Sequence, residues 1–341
     1  MRAAVFARPG VCEFVERDLA ISADNHVLVR VEACGVCGTD AHIYSGSFPA
    51  RFPVIAGHEF AGIVEEVGPR VTMLRSGDAV AIDPNIPCGS CPTCRRGRSH
   101  LCRNRAAIGV TQDGGFATHC LLPAQQCHKL PPSFPAEVAA LAEPVACCVH
   151  GIDRAAIRSG DVVFILGCGG IGLILLQLAL LQGASAVIAS DPKPEKREMA
   201  LLLGATGVLD PGTEDVAQAA AAAAGGAGPD VVIEAVGASE TAQQAVDIVG
   251  DGGRVVLFGV APEQARVSVA PYEVYRRELT ITGSLTNPFT HDRALALLAS
   301  GKVRVDRLIS HRVRLDEIPK GLELLESGAA TKVLVEPQRS T

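Results

Sequence analysis

Residues 161–172 read DVVFILGCGGIG, and this stretch decides the fold of the central part of the chain. The apolar run 161–166 predicts a parallel strand that is buried on both faces. It leads directly into a G-x-G-x-x-G pattern and then into the helix-forming run 173–182. Glycines at these positions let the backbone approach a pyrophosphate at a helix N-terminus, where free N–H groups favour negative charge. The stretch therefore predicts an α/β domain that binds a dinucleotide.

The residues that follow indicate which dinucleotide is bound. A second strand, 186–190, ends at Asp191, nineteen residues after Gly172. An acid at this point can bind the two hydroxyls of the adenosine ribose and would repel a 2′-phosphate, which favours NAD over NADP. Further strand–helix units continue to a last strand at 279–284, and repeated units of this kind require a doubly wound parallel sheet covered by helices.

The first 135 residues have a different character. Short strand-like runs such as 27–33 and 61–67 alternate with frequent glycine and proline. This pattern is typical of a β-rich, barrel-like domain. A helix is predicted from Pro135 onward, with an interruption at Glu143 and Pro144.

Two motifs in this first part carry ligands for a catalytic metal. The stretch 35–42 reads GVCGTDAH, and GHE follows at 57–59. Cys37, His58 and Glu59 offer a thiolate, an imidazole and a carboxylate, which zinc accepts readily. A catalytic zinc keeps three protein ligands and leaves one position open for water or substrate. Glu143 lies in an apolar stretch, where a buried carboxylate needs a partner or a metal.

A second cysteine pattern, C-x2-C-x2-C-x7-C, is formed by Cys88, Cys91, Cys94 and Cys102. Such spacing is typical of a tetrahedral zinc site or an iron–sulfur site. Cytosolic thiols stay reduced, so clustered cysteines favour a metal over disulfides. Four thiolates leave no open position on the ion, so we expect a structural role.

Composition excludes several classes of protein. The chain has 341 residues, and 31 basic against 37 acidic residues give a formal net charge of −6. Nucleic acids and anionic membranes require a basic face, so neither is expected as a partner. The start shows no signal-peptide pattern, and the apolar run 171–181 is too short to span a bilayer. We therefore predict a cytoplasmic protein.

Together these motifs resemble the zinc-containing medium-chain alcohol dehydrogenases along nearly the whole chain, and most closely their polyol (sorbitol-like) and threonine dehydrogenase branch. The resemblance implies a chaperonin-10 (GroES)-like catalytic domain at 1–146 and 286–341, with its structural-zinc lobe at 88–102. It implies an inserted Rossmann domain at 147–285, with the active site in the cleft between the two.

The resemblance also assigns roles to individual residues. It implies a catalytic zinc held by Cys37, His58, Glu59 and Glu143, with the choice of directly bound carboxylate between the two Glu left open. It implies a structural zinc on Cys88, Cys91, Cys94 and Cys102, and a proton relay through Thr39 and His42. It implies NAD contacts from Gly167, Gly169, Gly170, Ile171, Gly172, Asp191 and Lys196.

The implied activity is hydride transfer between NAD+ and a secondary alcohol or polyol such as sorbitol, xylitol or arabitol. An L-threonine 3-dehydrogenase activity is the alternative, because 38–44 and 97–102 look threonine-dehydrogenase-like, whereas 83–85 and 142–144 look polyol-like. A non-catalytic zinc- and NAD(H)-binding protein is a third reading, from another class. The family also implies a homo-oligomer, either a tetramer or a dimer.

Overall fold

The computed structural model describes residues 1–21 and 23–339, and it divides into two compact units. Unit 1 comprises Met1–Pro144, His291–Ser300 and the residues from Val305 onward. Unit 2 comprises Val145–Thr290 and Gly301–Arg304.

The first part of the chain contains mainly strands, and helices alternate with strands in the part that follows. The strands are β1 (Arg2–Arg8), β2 (Val11–Glu16), β3 (His26–Val36), β4 (Val54–Ile55), β5 (Glu59–Val67), β6 (Ala79–Ile82), β7 (Asn85–Ile86), β8 (Ala106–Ala107), β9 (His119–Pro123), β10 (Cys127–Lys129), β11 (Val162–Leu166), β12 (Ala186–Ser190), β13 (Gly207–Leu209), β14 (Val231–Glu234), β15 (Arg254–Leu257), β16 (Thr280–Gly283), β17 (Ile309–Arg314) and β18 (Lys332–Glu336). The α-helices are α1 (Gly38–Ser45), α2 (Pro92–Arg95), α3 (Ala136–Ala140), α4 (Ala142–Ala155), α5 (Gly170–Leu181), α6 (Pro194–Leu202), α7 (Val216–Ala223), α8 (Ser239–Ile248), α9 (Pro271–Arg276), α10 (His291–Ala299) and α11 (Ile318–Glu326). Short 3-10 helices lie at Ser99–Leu101, Ala124–Gln126, Asp306–Leu308 and Leu315–Glu317.

Unit 1 is built on a mainly antiparallel seven-stranded sheet in the order β10-β6-β5-β3-β18-β17, with β9 also paired to β3. The long strand β3 is its centre, because it pairs with β5, β9 and β18. Smaller sheets, β2-β1-β4 and β7-β8, accompany it. The core is apolar and fully buried around Phe6, Phe60 and Phe116. The predicted β-rich domain is confirmed.

Unit 2 is a six-stranded parallel sheet in the order β13-β12-β11-β14-β15-β16. The first strand, β11, lies between β12 and β14, so the strand order reverses beside it. Ligands of doubly wound sheets bind outside the carboxyl ends of the strands at such a switch point. Along α5 the residues from Gly172 to Ala179 are buried, as the apolar sequence of this helix requires. The predicted doubly wound α/β fold is confirmed.

Two local features differ from the sequence-based prediction. The helix predicted from Pro135 is broken at Leu141, two residues before the expected interruption at Glu143, because α4 starts at Ala142. Pro144 therefore lies in the first turn of α4, where its missing N–H costs no helical hydrogen bond. The short helix α9 was not predicted. Within residues 1–21 and 23–339, no helix is both long and apolar enough to span a membrane.

Candidate active site and metal centres

The first metal-binding motif begins where β3 ends. Cys37 follows the strand directly and occupies the N-cap position of α1. The carboxylate of Asp40, which is completely buried, accepts a hydrogen bond from the Cys37 backbone N–H at 2.8 Å. This reciprocal cap fixes the turn that carries the Cys37 thiol.

The second motif enters β5 beside the first, because Glu59 pairs with Gly35 of β3. Gly57 has a φ of +84°, and a Cβ there would lie 2.5 Å from Cδ1 of Phe116. Only glycine fits this turn. The Gly57 N–H donates to Asp40 Oδ1 at 3.1 Å, so a single carboxylate holds both motifs together.

One ligand atom from each of Cys37, His58 and Glu59 lies within 4.8 Å of the other two. His58 and Glu59 are buried, and Cys37 is half-buried. A thiolate, an imidazole and a carboxylate at this spacing fit one zinc ion with an open position. Among the described residues, Glu143 is not a member of this group; it is buried in the first turn of α4.

Asp40 also faces the ring of His58, and sequence reasoning missed it. Asp40 Oδ1 lies 3.3 Å from His58 Nδ1. Burial lowers the pKa of His58, but the charges of Asp40 and Cys37 outweigh burial and hold this pKa well above its usual value. A carboxylate behind a ligating imidazole orients the ring and raises its basicity. The position of Asp40 three residues after Cys37, where an acid can cap the start of a helix, was the sequence signal that could have identified it.

Glu59 takes part in a buried ion pair. Lys332, the first residue of β18, pairs with Glu59 Oε2, and both side chains are buried. Burial lowers the pKa of Lys332, but the charges of Glu59 and Cys37 raise it by more, so that it lies above its usual value. No local pattern marks Lys332, because only the pairing of β18 with β3 brings it to this place.

The two residues expected to relay a proton lie on α1. Thr39 is in its first turn and half-exposed, and His42 is three residues further and exposed. Residues three apart are neighbours on a helix surface. His42 Nδ1 lies 3.1 Å from the Ser47 hydroxyl, which orients the ring.

The second cysteine pattern forms a compact four-sulfur group. The ligand atoms of Cys88, Cys91, Cys94 and Cys102 lie within 4.8 Å of one another. The Cys91 sulfur is 3.4 Å from that of Cys94 and 3.8 Å from that of Cys102. Zn–S bonds of about 2.3 Å in a tetrahedron place sulfurs about 3.8 Å apart, so the group fits a single ion. The Thr93 hydroxyl lowers the pKa of Cys91 to about 6, which supplies a thiolate at neutral pH.

The glycine motif forms the turn between β11 and α5. A Cβ on Gly172 would lie 1.8 Å from the carbonyl oxygen of Gly167, so the helix can pack this closely only with glycine there. At Gly169, the N-cap of α5, a Cβ would have no neighbour within 4 Å. This open cradle at a helix N-terminus suits a pyrophosphate. Gly170 and Ile171 form the first turn of α5.

Asp191 follows β12, at the same edge of the sheet. Its carboxylate accepts hydrogen bonds from the backbone N–H groups of Cys168, at 3.0 Å, and Lys193, at 2.9 Å. Arg197 donates to the Asp191 carbonyl oxygen and pairs with Asp210 at 3.1 Å. Lys196 lies in the first turn of α6 and is half-exposed. Asp191 is thus fixed against the glycine turn.

Comparison with known proteins agrees with this geometry. Residues 23–132 match the alcohol dehydrogenase GroES-like domain, and residues 170–300 match the zinc-binding dehydrogenase domain. The chain belongs to the zinc-containing medium-chain alcohol dehydrogenase family. This zinc dehydrogenase is 37% identical to D-altritol 5-dehydrogenase of Agrobacterium fabrum over 323 residues, with 93% and 94% of the two chains covered. It is 36% identical to L-threonine 3-dehydrogenase of Pyrococcus horikoshii, with 98% of each chain covered.

A solved structure is closer still. A Sinorhizobium meliloti protein described as a zinc-binding dehydrogenase, crystallised with NADP, shares 42% identity and a TM-score of 0.95, with 98% of this chain and 99% of that chain covered. Membership in the family establishes an oxidoreductase that uses zinc and a nicotinamide dinucleotide.

Proposed function

We propose that this zinc dehydrogenase oxidises a secondary alcohol or polyol to the corresponding ketone, with NAD+ as the hydride acceptor. The observation that carries the proposal is the group of Cys37, His58 and Glu59 within 4.8 Å, in a chain of this family. The relative named D-altritol 5-dehydrogenase supports the substrate class.

In this proposal Cys37, His58 and one carboxylate hold the catalytic zinc. The short spacing supports Glu59 as that carboxylate, and Glu143 is the alternative. When bound, zinc lowers the pKa of a substrate hydroxyl, and the nicotinamide supplies the redox chemistry. Asp40 orients His58, and the ion pair with Lys332 holds Glu59 in place. Cys88, Cys91, Cys94 and Cys102 hold the structural zinc.

Thr39 and His42 have a proton-transfer role in the same proposal. The Thr39 hydroxyl accepts the proton of the substrate hydroxyl as it releases its own, and that released proton passes to the ring of His42 and from there to solvent. A histidine suits this task because its charge changes near neutral pH. The exposure of His42 and the half-exposure of Thr39 support the direction of transfer.

The substrate class is tested by kcat/KM on sorbitol, xylitol, arabitol, 2,3-butanediol and L-threonine. We expect at least one polyol to exceed threonine by about tenfold or more, which corresponds to about 1.4 kcal/mol of transition-state binding. Threonine as the best substrate would favour the alternative, which the Pyrococcus relative supports. Tight zinc and NAD(H) binding without turnover of any alcohol would contradict a dehydrogenase.

Asp191 gives a prediction on the cofactor. Replacing Asp191 with alanine removes the charge that would face a 2′-phosphate, and like charges in contact cost several kcal/mol. We expect the ratio of kcat/KM for NAD+ to that for NADP+ to fall by about tenfold or more. Glu195→Ala is the matched control, because Glu195 is an exposed acid on the nearby helix α6. An unchanged ratio in the Asp191 variant would show that this residue does not select NAD+ over NADP+. Either outcome is open, because a related structure was crystallised with NADP.

We also propose that the protein is a homo-oligomer and that it is cytoplasmic. The strand β16 supports the former, since within the described part of the chain it pairs only with β15 and forms one end of the six-stranded sheet.

A further inference from the structure

A third group of metal-ligating side chains lies in unit 1. One ligand atom from each of Asp83, His128 and His291 lies within 4.8 Å of the other two. None of these residues belongs to the catalytic group or to the four-cysteine lobe. We propose that they form an additional binding site for a divalent transition-metal ion, with zinc as the representative ion.

The fold brings the three residues together from separate segments. Asp83 follows β6 directly, His128 is the central residue of the neighbouring strand β10, and His291 is the first residue of α10. Asp83 is tied to the strand pair by its N–H, which donates to the Gln126 carbonyl oxygen at 2.9 Å. Ligands carried on paired strands and on a helix start are held more precisely than ligands on free loops.

The carboxylate of Asp83 is positioned by its neighbour. Asp83 Oδ1 accepts hydrogen bonds from the backbone N–H and the side-chain amide of Asn85, at 3.0 and 3.2 Å. The Gln126 amide in turn donates to the carbonyl oxygens of Asp83 and Asn85, at 2.8 and 2.7 Å. This network fixes the turn, so that the carboxylate is presented in a constant direction.

The rings of the two histidines lie against each other beside Asp83. Their rings stack with centroids 4.5 Å apart and planes inclined by 23°. His128 Nδ1 lies 2.7 Å from a carboxylate oxygen of Asp292, which leaves Nε2 as its ligand atom. A ligating histidine generally donates its other ring N–H to a carboxylate in this way. His291 is buried, so its ring is held in place beside that of His128.

The donor set selects the class of ion. Two imidazoles and one carboxylate suit zinc, iron, nickel or copper, whereas calcium and magnesium prefer oxygen ligands alone. His291 is 2% exposed, so the ion would lie against a buried ring and tie the start of α10 to β6 and β10. An ion with affinity for the folded protein alone stabilises it. The site is therefore expected to stabilise unit 1, whether or not the proposed alcohol substrate is correct.

The test is the zinc content of the full chain after equilibration with a small excess of zinc and removal of free metal. We expect wild type to hold one more zinc per chain than Asp83→Asn and His128→Gln. Both substitutions remove a ligand, and asparagine keeps an oxygen acceptor for Asn85. His311→Gln is the matched control, because His311 is a half-buried histidine elsewhere in unit 1 and bonds Ser310. It should retain the additional zinc.

Added zinc should also raise the melting temperature of wild type and of His311→Gln by a few degrees more than that of the two ligand variants. Equal zinc content and equal melting shifts in all four proteins would overturn the proposal. So would an additional zinc that persists in both ligand variants, since it would then bind elsewhere. If His128→Gln fails to fold, the comparison of wild type with Asp83→Asn decides.

Discussion

Replacing Cys37 with serine should lower kcat/KM for the alcohol by about a thousandfold or more. A metal acting as Lewis acid contributes several kcal/mol to the transition state, and each 1.4 kcal/mol is a factor of ten in rate. Serine removes the thiolate from a three-ligand group, and zinc binds thiolate far better than a neutral hydroxyl. The loss is measured by steady-state kinetics together with the zinc content of the purified variant.

Dinucleotide binding should survive this substitution. The glycine turn and Asp191 belong to unit 2, whereas Cys37 belongs to unit 1. The affinity for NADH, measured by its fluorescence, is therefore expected to change by less than about threefold, which is below 1 kcal/mol. Cys12→Ser is the matched control, because Cys12 is a half-buried free thiol of β2 outside the ligand group. Normal turnover of the Cys37 variant would show that catalysis does not need this group.

In the zinc-free protein, replacing Lys332 with methionine should cost about 3–5 kcal/mol of the free energy of unfolding, because Glu59 would be left buried without its partner charge. Methionine keeps much of the length and apolar body of lysine, so the charge is the main change. The strands β5 and β18 carry Glu59 and Lys332. Hydrogen exchange of their backbone amides measures this loss within unit 1.

Two comparisons separate the buried pair from a general effect of removing lysine. The Glu59→Gln/Lys332→Met double variant removes both charges, and we expect it to recover much of the stability lost in the single variant. Lys129→Met breaks the contact with Asp78 at 2.8 Å, but the Lys129 side chain is exposed, so the loss of stability should stay within about 1 kcal/mol. Equal losses of stability for the two lysine variants would mean that the buried pair of Glu59 and Lys332 contributes no more than the exposed pair of Lys129 and Asp78.

Motifs written in consecutive residues could be predicted from the sequence. The strand, glycine turn and helix around Gly167 predict the parallel sheet, because these elements follow one another directly in the sequence. The four-cysteine group is likewise local, since its members lie within 88–102. Asp40 was within reach as well, since it lies three residues from Cys37 and caps the same turn.

Long-range pairing explains what sequence reasoning missed. Lys332 meets Glu59 only because β18 is added beside β3, and no local pattern encodes that choice of neighbour. The same holds for the group of Asp83, His128 and His291, which three distant segments bring together. The break at Leu141 was misplaced because Pro144 was taken as a helix breaker, although proline is accepted in a first turn.

The position of β18 beside β3 has a consequence for synthesis of the chain on the ribosome. Unit 2 is nearly continuous and ends at Arg304, so all of its strands leave the exit tunnel before β18 does. Until then residues 34–36 of β3 lack their β18 partners, and the charge of Glu59 lacks Lys332. The α/β unit can thus fold while unit 1 is still incomplete, and the ligand group at Cys37 gains its contact with Lys332 only after β18 has been translated.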